Sequence, residues 1–131
     1  MATTDPLAAL VPLEGALFRA GQVARRLIAE HPELTVTRSK WHTYSRADSY
    51  APPSAEVGWQ VYTDGLDGAR AWAAVLGAEL ALKTSDAGAF VFETGHCTVE
   101  VDGVEIEVDG SRMLTDTEAV AWRAAQAGGE G

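Results

Sequence analysis

At 131 residues with a formal net charge of −9, the chain has the length of one domain and can bury a core without disulfides or metal staples. Its charge disfavours direct nucleic-acid binding, which needs cations for phosphates, and anionic membrane surfaces. No apolar run reaches the roughly 18 residues that mark a membrane span, and the lone cysteine, Cys97, excludes an internal disulfide framework.

The N-terminal MATTDPLAALVPLEG has an early acid and two prolines, unlike a signal peptide. With Cys97, which suits a reducing compartment, the expected location is the cytoplasm. Asparagine is absent and lysine is rare beside arginine, the skew of a GC-rich genome. The charge is lopsided. Residues 1–50 hold six Arg/Lys and five Asp/Glu, whereas residues 51–131 hold four and fourteen. Such a chain is built to orient against a basic partner or a second copy of itself.

A long first helix is expected from Asp5-Pro6, with Asp5 capping and Pro6 at the first helical position. Leu7, Leu10, Leu13, Leu17, Ala20, Ala24, Leu27 and Ile28 form its apolar stripe. Pro12 and Gly15 should kink or split it, and it should end at His31-Pro32. LTVTRSKWHTYSRAD (34–48) reads as a strand whose face carries Arg38, Lys40, His42, Tyr44 and Arg46. After the loop SYAPPSAE, VGWQVYTD is a second strand, with Val57, Trp59 and Val61 on one side and Gln60 and Tyr62 on the other. DGARAWAAVLG is a helix, capped by Asp64 or Asp67 and stopped at Gly77. AELALKT is a short strand and SDAG a turn.

The stretch ETGHCTVEVDGVEIEVD holds five carboxylates between Glu100 and Asp109 and no lysine or arginine. Gly95-His96 reads as a two-residue turn placing Thr94 opposite Cys97, and Asp102-Gly103 as a hairpin placing Val101 opposite Val104. Those two turns would put Phe90, Phe92, Cys97, Val99, Val101, Val104, Ile106 and Val108 on one face. Glu93, Thr98, Glu100, Glu105, Glu107 and Asp109 would share the other. A short C-terminal helix, TDTEAVAWRAAQA, opens with a Thr115/Glu118 capping box. Residues 1–127 then form a single α+β domain, with 128–131 as a flexible tail. Its mostly antiparallel sheet carries helices on one face, leaving a polar face open.

The segment VGWQVYTDGLDGARAWAAVLGAELALKTSDAGAFVFETG resembles the strand–helix–three-strand module of the vicinal oxygen chelate superfamily. That resemblance implies paired modules with His and Glu metal ligands on strands. The family's first-strand ligand falls near Gly58, which has no side-chain donor, and Glu100 would stand in for the later carboxylate. The whole layout, through Arg70-Ala71-Trp72-Ala73-Ala74-Val75-Leu76-Gly77, is also similar to small uncharacterised proteins of actinobacteria and their phages, of helix-ββ-α-βββ layout.

No catalytic residue, cofactor site or metal ligand set is assigned. Glu100 and Glu105 should face each other with Cβ atoms about 5 Å apart. A calcium ion there would need six to eight oxygens, which a flat face supplies poorly. His96 and Cys97 point to opposite sides and make no dyad. The three histidines lack ligand spacing, and no nucleophile elbow or phosphate loop is present. The candidate partner surface is Glu93, Glu100, Glu105, Glu107 and Asp109, with Arg38, Lys40 and Arg46 beside it or across a dimer. The expected role is a non-enzymatic accessory or interaction protein, partnered by another protein or forming a homodimer. The alternatives are a small-molecule- or metal-binding enzyme-like module, or an acidic DNA-mimic inhibitor.

Overall fold

A computed structural model describes residues 3–129. The elements run α1 (Leu10–Glu30), β1 (Arg38–Arg46), β2 (Ser54–Tyr62), α2 (Gly65–Leu76), β3 (Ala81–Asp86), β4 (Val91–Val101), β5 (Val104–Met113) and α3 (Asp116–Gly129). All five strands join one sheet in the order β1-β2-β5-β4-β3, antiparallel except where β2 and β5 run parallel. The fold is α+β, with a long N-terminal and a short C-terminal helix. Among the described residues, no helix is long and apolar enough to cross a membrane.

Helix α1 starts at Leu10, later than the sequence predicts. Asp5 instead closes a turn, its carboxylate accepting the Leu7 N–H at 3.0 Å. Pro12 does not split the helix, because it lies in the first turn, where its missing N–H would have had no helical acceptor. Gly15 sits inside the same continuous 21-residue helix. The buried stripe is Ala16, Ala20, Val23 and Leu27. Leu10, Leu17 and Ile28 belong to the expected stripe but are exposed. The apolar arc of α1 is wider than one contact face, so periodicity alone selected both sides of it.

The core is organised by tryptophans. Trp72 of α2 is fully buried and meets Trp59 edge-on at 5.6 Å. Trp41 of β1 stacks on Trp59 at 5.1 Å. Buried indole N–H groups need acceptors. Trp72 donates to the Thr35 carbonyl at 2.9 Å and Trp59 to the Ser39 hydroxyl at 2.7 Å. Val61, Ile106, Val104, Val108 and Val91 complete the packing.

The expected turn at Gly95-His96 does not form: β4 runs unbroken through both residues. Gly95 lies opposite Gly110 of β5. A Cβ on Gly95 would come within 2.5 Å of Leu80, and one on Gly110 within 2.5 Å of the Gly65 carbonyl and the Thr63 hydroxyl. The two glycines therefore let the start of α2 approach the sheet backbone, the other use of glycine in a strand. With β4 continuous, residues of odd number from Val91 to Val101 face the helices, while Phe92, Thr94, His96, Thr98 and Glu100 face away. Glu93 and Phe92 thus exchange the faces that the sequence assigned them. The Asp102-Gly103 turn forms as predicted, with φ of 49° and 81°, and pairs Val101 with Val104 and Glu100 with Glu105.

The Thr115/Glu118 capping box is present: Glu118 accepts the Thr115 N–H at 3.1 Å, and Thr115 accepts the Glu118 N–H at 3.2 Å. Arg112 also grips Glu118 with both terminal nitrogens, at 3.1 and 3.0 Å. Arg123 forks onto Asp86 and reaches the Gly88 carbonyl. No α3 residue is buried, so these polar contacts anchor the helix. It continues through Gly129, two residues into the segment read as a tail, whose remaining positions 130 and 131 lie outside the described residues.

Two outcomes follow for stability. Gly110→Val should lower unfolding free energy by about 2 kcal/mol through overpacking against α2, measured by urea denaturation. Arg112, and then the Thr115 N–H, hold the Glu118 carboxyl at about 2, below its ordinary 4.5. A carboxylate depressed in this way stabilises fully above the unfolded value and loses its contribution as pH falls. The protection of α3 amides, relative to their intrinsic exchange rates, should therefore fall between pH 4.5 and about 2, and Glu118→Gln should lessen that dependence, leaving the share of the Arg123–Asp86 pair.

Candidate functional site

Helices α1 and α2 cover one face of the sheet, and the face opposite them carries the charge. Strand pairing arranges its side chains in rows. The first row runs Arg38, Tyr62, Asp109, His96; the second Lys40, Gln60, Glu107, Thr98; the third His42, Gly58, Glu105, Glu100. The predicted basic strand and four of the five predicted acids share this face. They are not neighbours, because β2 lies between β1 and β5. Two strand spacings separate the columns by about 10 Å, near the Debye length at moderate salt.

The predicted cations make other contacts. Arg38 and Lys40 lie over the Tyr62 ring, at 5.5 and 5.9 Å, and Arg46 pairs with Asp48 at 3.2 Å. Glu93 leaves the proposed surface altogether. It faces the helices, 3.6 Å from Arg112 and 4.0 Å from Arg70. Its displacement follows from the unbroken β4. Glu100 and Glu105 oppose each other as predicted.

The same change of parity brings His96 onto the acidic face, directly opposite Asp109. Its Nδ1–H donates to Asp109 Oδ1 at 2.9 Å, and Nδ1 lies 3.8 Å from Glu107 Oε1. The Thr98 hydroxyl shares a hydrogen bond with Nε2 at 3.2 Å. From the other side, the Gln60 amide donates to Asp109 Oδ2 at 3.4 Å and more weakly to Glu107 Oε1 at 3.5 Å. Gln60 Oε1 accepts from His42 Nε2 at 3.1 Å. The result is one polar chain across four strands: His42, Gln60, the two carboxylates, His96 and Thr98. Its centre is half-exposed, with side-chain accessibility of 46% for His96, 35% for Glu107 and 30% for Asp109.

Asp109, His96 and Thr98 stand in the order of a relay for nucleophilic attack. That chemistry lacks its other half, because the N–H groups of a ladder strand lie along the sheet and cannot converge on an oxyanion above it. The cluster instead offers one imidazole nitrogen and carboxylate oxygens within 4.8 Å of one another, the donor types that hold a divalent ion. Beside it, Gly58 leaves a notch between His42 and Glu105, part of a depression of about 180 Å³. A larger hollow of about 510 Å³ is lined by Phe90, Met113, Leu114 and Val120 and shares no residue with the cluster. Cys97 points into the core, where burial, followed by the charge of Asp109, pushes its thiol up, the opposite of an activated nucleophile.

Sequence pattern alone does not single out His96, Gln60, Thr98 or His42 as site residues. The signal was present in the alternation Glu93, Gly95, Cys97 read as a single strand, which places His96 opposite Asp109. Reading Gly95 as a turn concealed it. The chain matches no known family and no characterised protein in sequence comparisons.

Glu100 and Glu105 remain a like-charged pair directly across the ladder. Glu105→Lys should stabilise the fold by about 0.5 kcal/mol. Urea midpoints at low and high salt check this, the gain shrinking as salt rises.

Proposed function

We propose that this protein is a non-enzymatic interaction protein that self-associates through the outer face of α1. The observation that carries this reading is the second apolar stripe of that helix. Leu10 and Leu17 are seven residues apart, as are Val11 and Phe18, and Ile28 continues the stripe; all five are exposed, Val11 at 77% and Phe18 at 67%. Clustered large apolar side chains on a surface mark an interaction site, and a seven-residue repeat suits packing against another helix. A twofold pair would place α1 of one protomer on α1 of its partner.

The charged sheet face supports a second mode, in which the basic β1 edge of one copy docks on Glu100, Glu105 and Glu107 of another. Exposed ion pairs contribute little each, so the apolar stripe is the stronger anchor. The DNA-mimic version of that face has less support, since Glu107 and Asp109 are already engaged by Gln60 and His96. An enzyme-like module of the vicinal oxygen chelate kind draws support from the element order β2, α2, β3, β4, β5. Against it, the family's first-strand ligand position, near Gly58, offers no donor.

Sedimentation equilibrium separates the two modes. Association through α1 should persist or strengthen at high salt and be abolished by Phe18→Glu with the circular dichroism spectrum intact. Sheet-face association should weaken with salt and be abolished by Glu105→Lys with Glu107→Lys. A monomer at about 100 µM, well above a micromolar dissociation constant, at both salt concentrations would sink the self-association reading.

A further inference from the structure

We infer that His96, Glu107 and Asp109 form a binding site for one divalent transition-metal ion on the open face of the sheet. Three donors of two chemical kinds converge here from adjacent strands, each within 4.8 Å of the others. They are His96 Nδ1 and one oxygen from each carboxylate. The separations of 2.9 and 3.8 Å from Nδ1 to the two oxygens bracket the roughly 3 Å between adjacent ligands whose bonds to a metal are about 2.1 Å long. Among the described residues, no lysine or arginine pairs with Glu107 or Asp109. The two carboxylates bring two negative charges, which a divalent ion neutralises.

Neighbouring groups already aim the ligands. The Gln60 amide holds Asp109 by Oδ2, leaving Oδ1 directed at His96. The Thr98 hydroxyl sits on Nε2. When Nδ1 gives its lone pair to a metal, the imidazole carries its proton on Nε2, where the Thr98 hydroxyl can accept the hydrogen bond. Ring orientation is kept by the outer partner. One nitrogen and two carboxylates favour Zn²⁺, Mn²⁺ or Co²⁺ over Ca²⁺, which needs six to eight oxygens. Half-exposure of the three side chains leaves the remaining coordination positions to water. The site differs from that implied by the superfamily resemblance, which falls on Gly58 of β2. It also lies on the sheet face opposite α1, so it is independent of association through that helix.

Titration calorimetry of the full chain with Zn²⁺ and with Mn²⁺ tests the assignment. One ion should bind per chain, and His96→Ala and Asp109→Asn should each weaken binding by about 10-fold or more. The double variant Glu100→Gln, Glu105→Gln, which removes two charges from the same face against the one removed by Asp109→Asn, should change it by less than about two-fold. In the unmodified protein, Mn²⁺ should broaden amide resonances around positions 96, 107 and 109 first. Absence of binding at about 1 mM metal would overturn the site. So would unchanged affinity in a folded His96→Ala variant, or broadening centred on Glu100 and Glu105.

Discussion

The close approach of α2 to the sheet at Gly95 and Gly110 fixes which way every side chain of β4 points. A side chain at either position would collide with Leu80 and Leu66 or with the Gly65 carbonyl and Thr63. Both positions must therefore face the helix, and in a strand that decides the parity of all the others. Cys97 and Val99 follow Gly95 into the helix side. His96, Thr98 and Glu100 are directed to the open face, and Glu93 is drawn inward to Arg112. A helix-packing constraint on one side of the sheet thus composes a polar cluster on the other.

The order of strands then arranges the charge. Had β1 paired with β5, its cations would have met the acidic column directly and formed ordinary ladder ion pairs. Instead the parallel β2–β5 pair inserts a column of Tyr62, Gln60 and Gly58. Tyr62 receives Arg38 and Lys40 over its ring, while Gln60 carries hydrogen bonds from His42 to the carboxylates. The cations are held apart from the acids, and the only group lying directly against Asp109 from β4 is His96. Arg38 and Lys40 are thus kept from pairing with the acids of β5 by topology, even though both signs are present on this face.

Much of the fold is legible locally. The Asp102-Gly103 turn, the Thr115/Glu118 cap, the stop at Gly77 and the alternation of Val57, Trp59 and Val61 each depend on a few neighbouring residues, and each stands as read. The errors arise where one local pattern serves two structural ends. Pro12 breaks a helix interior but is neutral in a first turn. Leu10 and Leu17 match a helical period whether they face the core or a partner. Gly95 permits a turn as readily as it permits a helix to come close. Glu100 opposite Glu105 was readable because a two-residue turn joins them; His96 opposite Asp109 was not, because 12 residues lie between them and a wrong turn shifted the count.

An α+β fold, a single buried thiol and an acidic sheet surface are all written into the chain locally, since composition, periodicity and turn chemistry act over short spans. Packing between distant segments sets the rest: β2 lies between the basic and acidic strands, α1 turns Ala16 and Ala20 inward, and His96 joins Glu107 and Asp109. Those outcomes rest on contacts between residues far apart in the chain, above all the need of α2 for two bare backbone positions beneath it. No pattern within a single strand expresses that need.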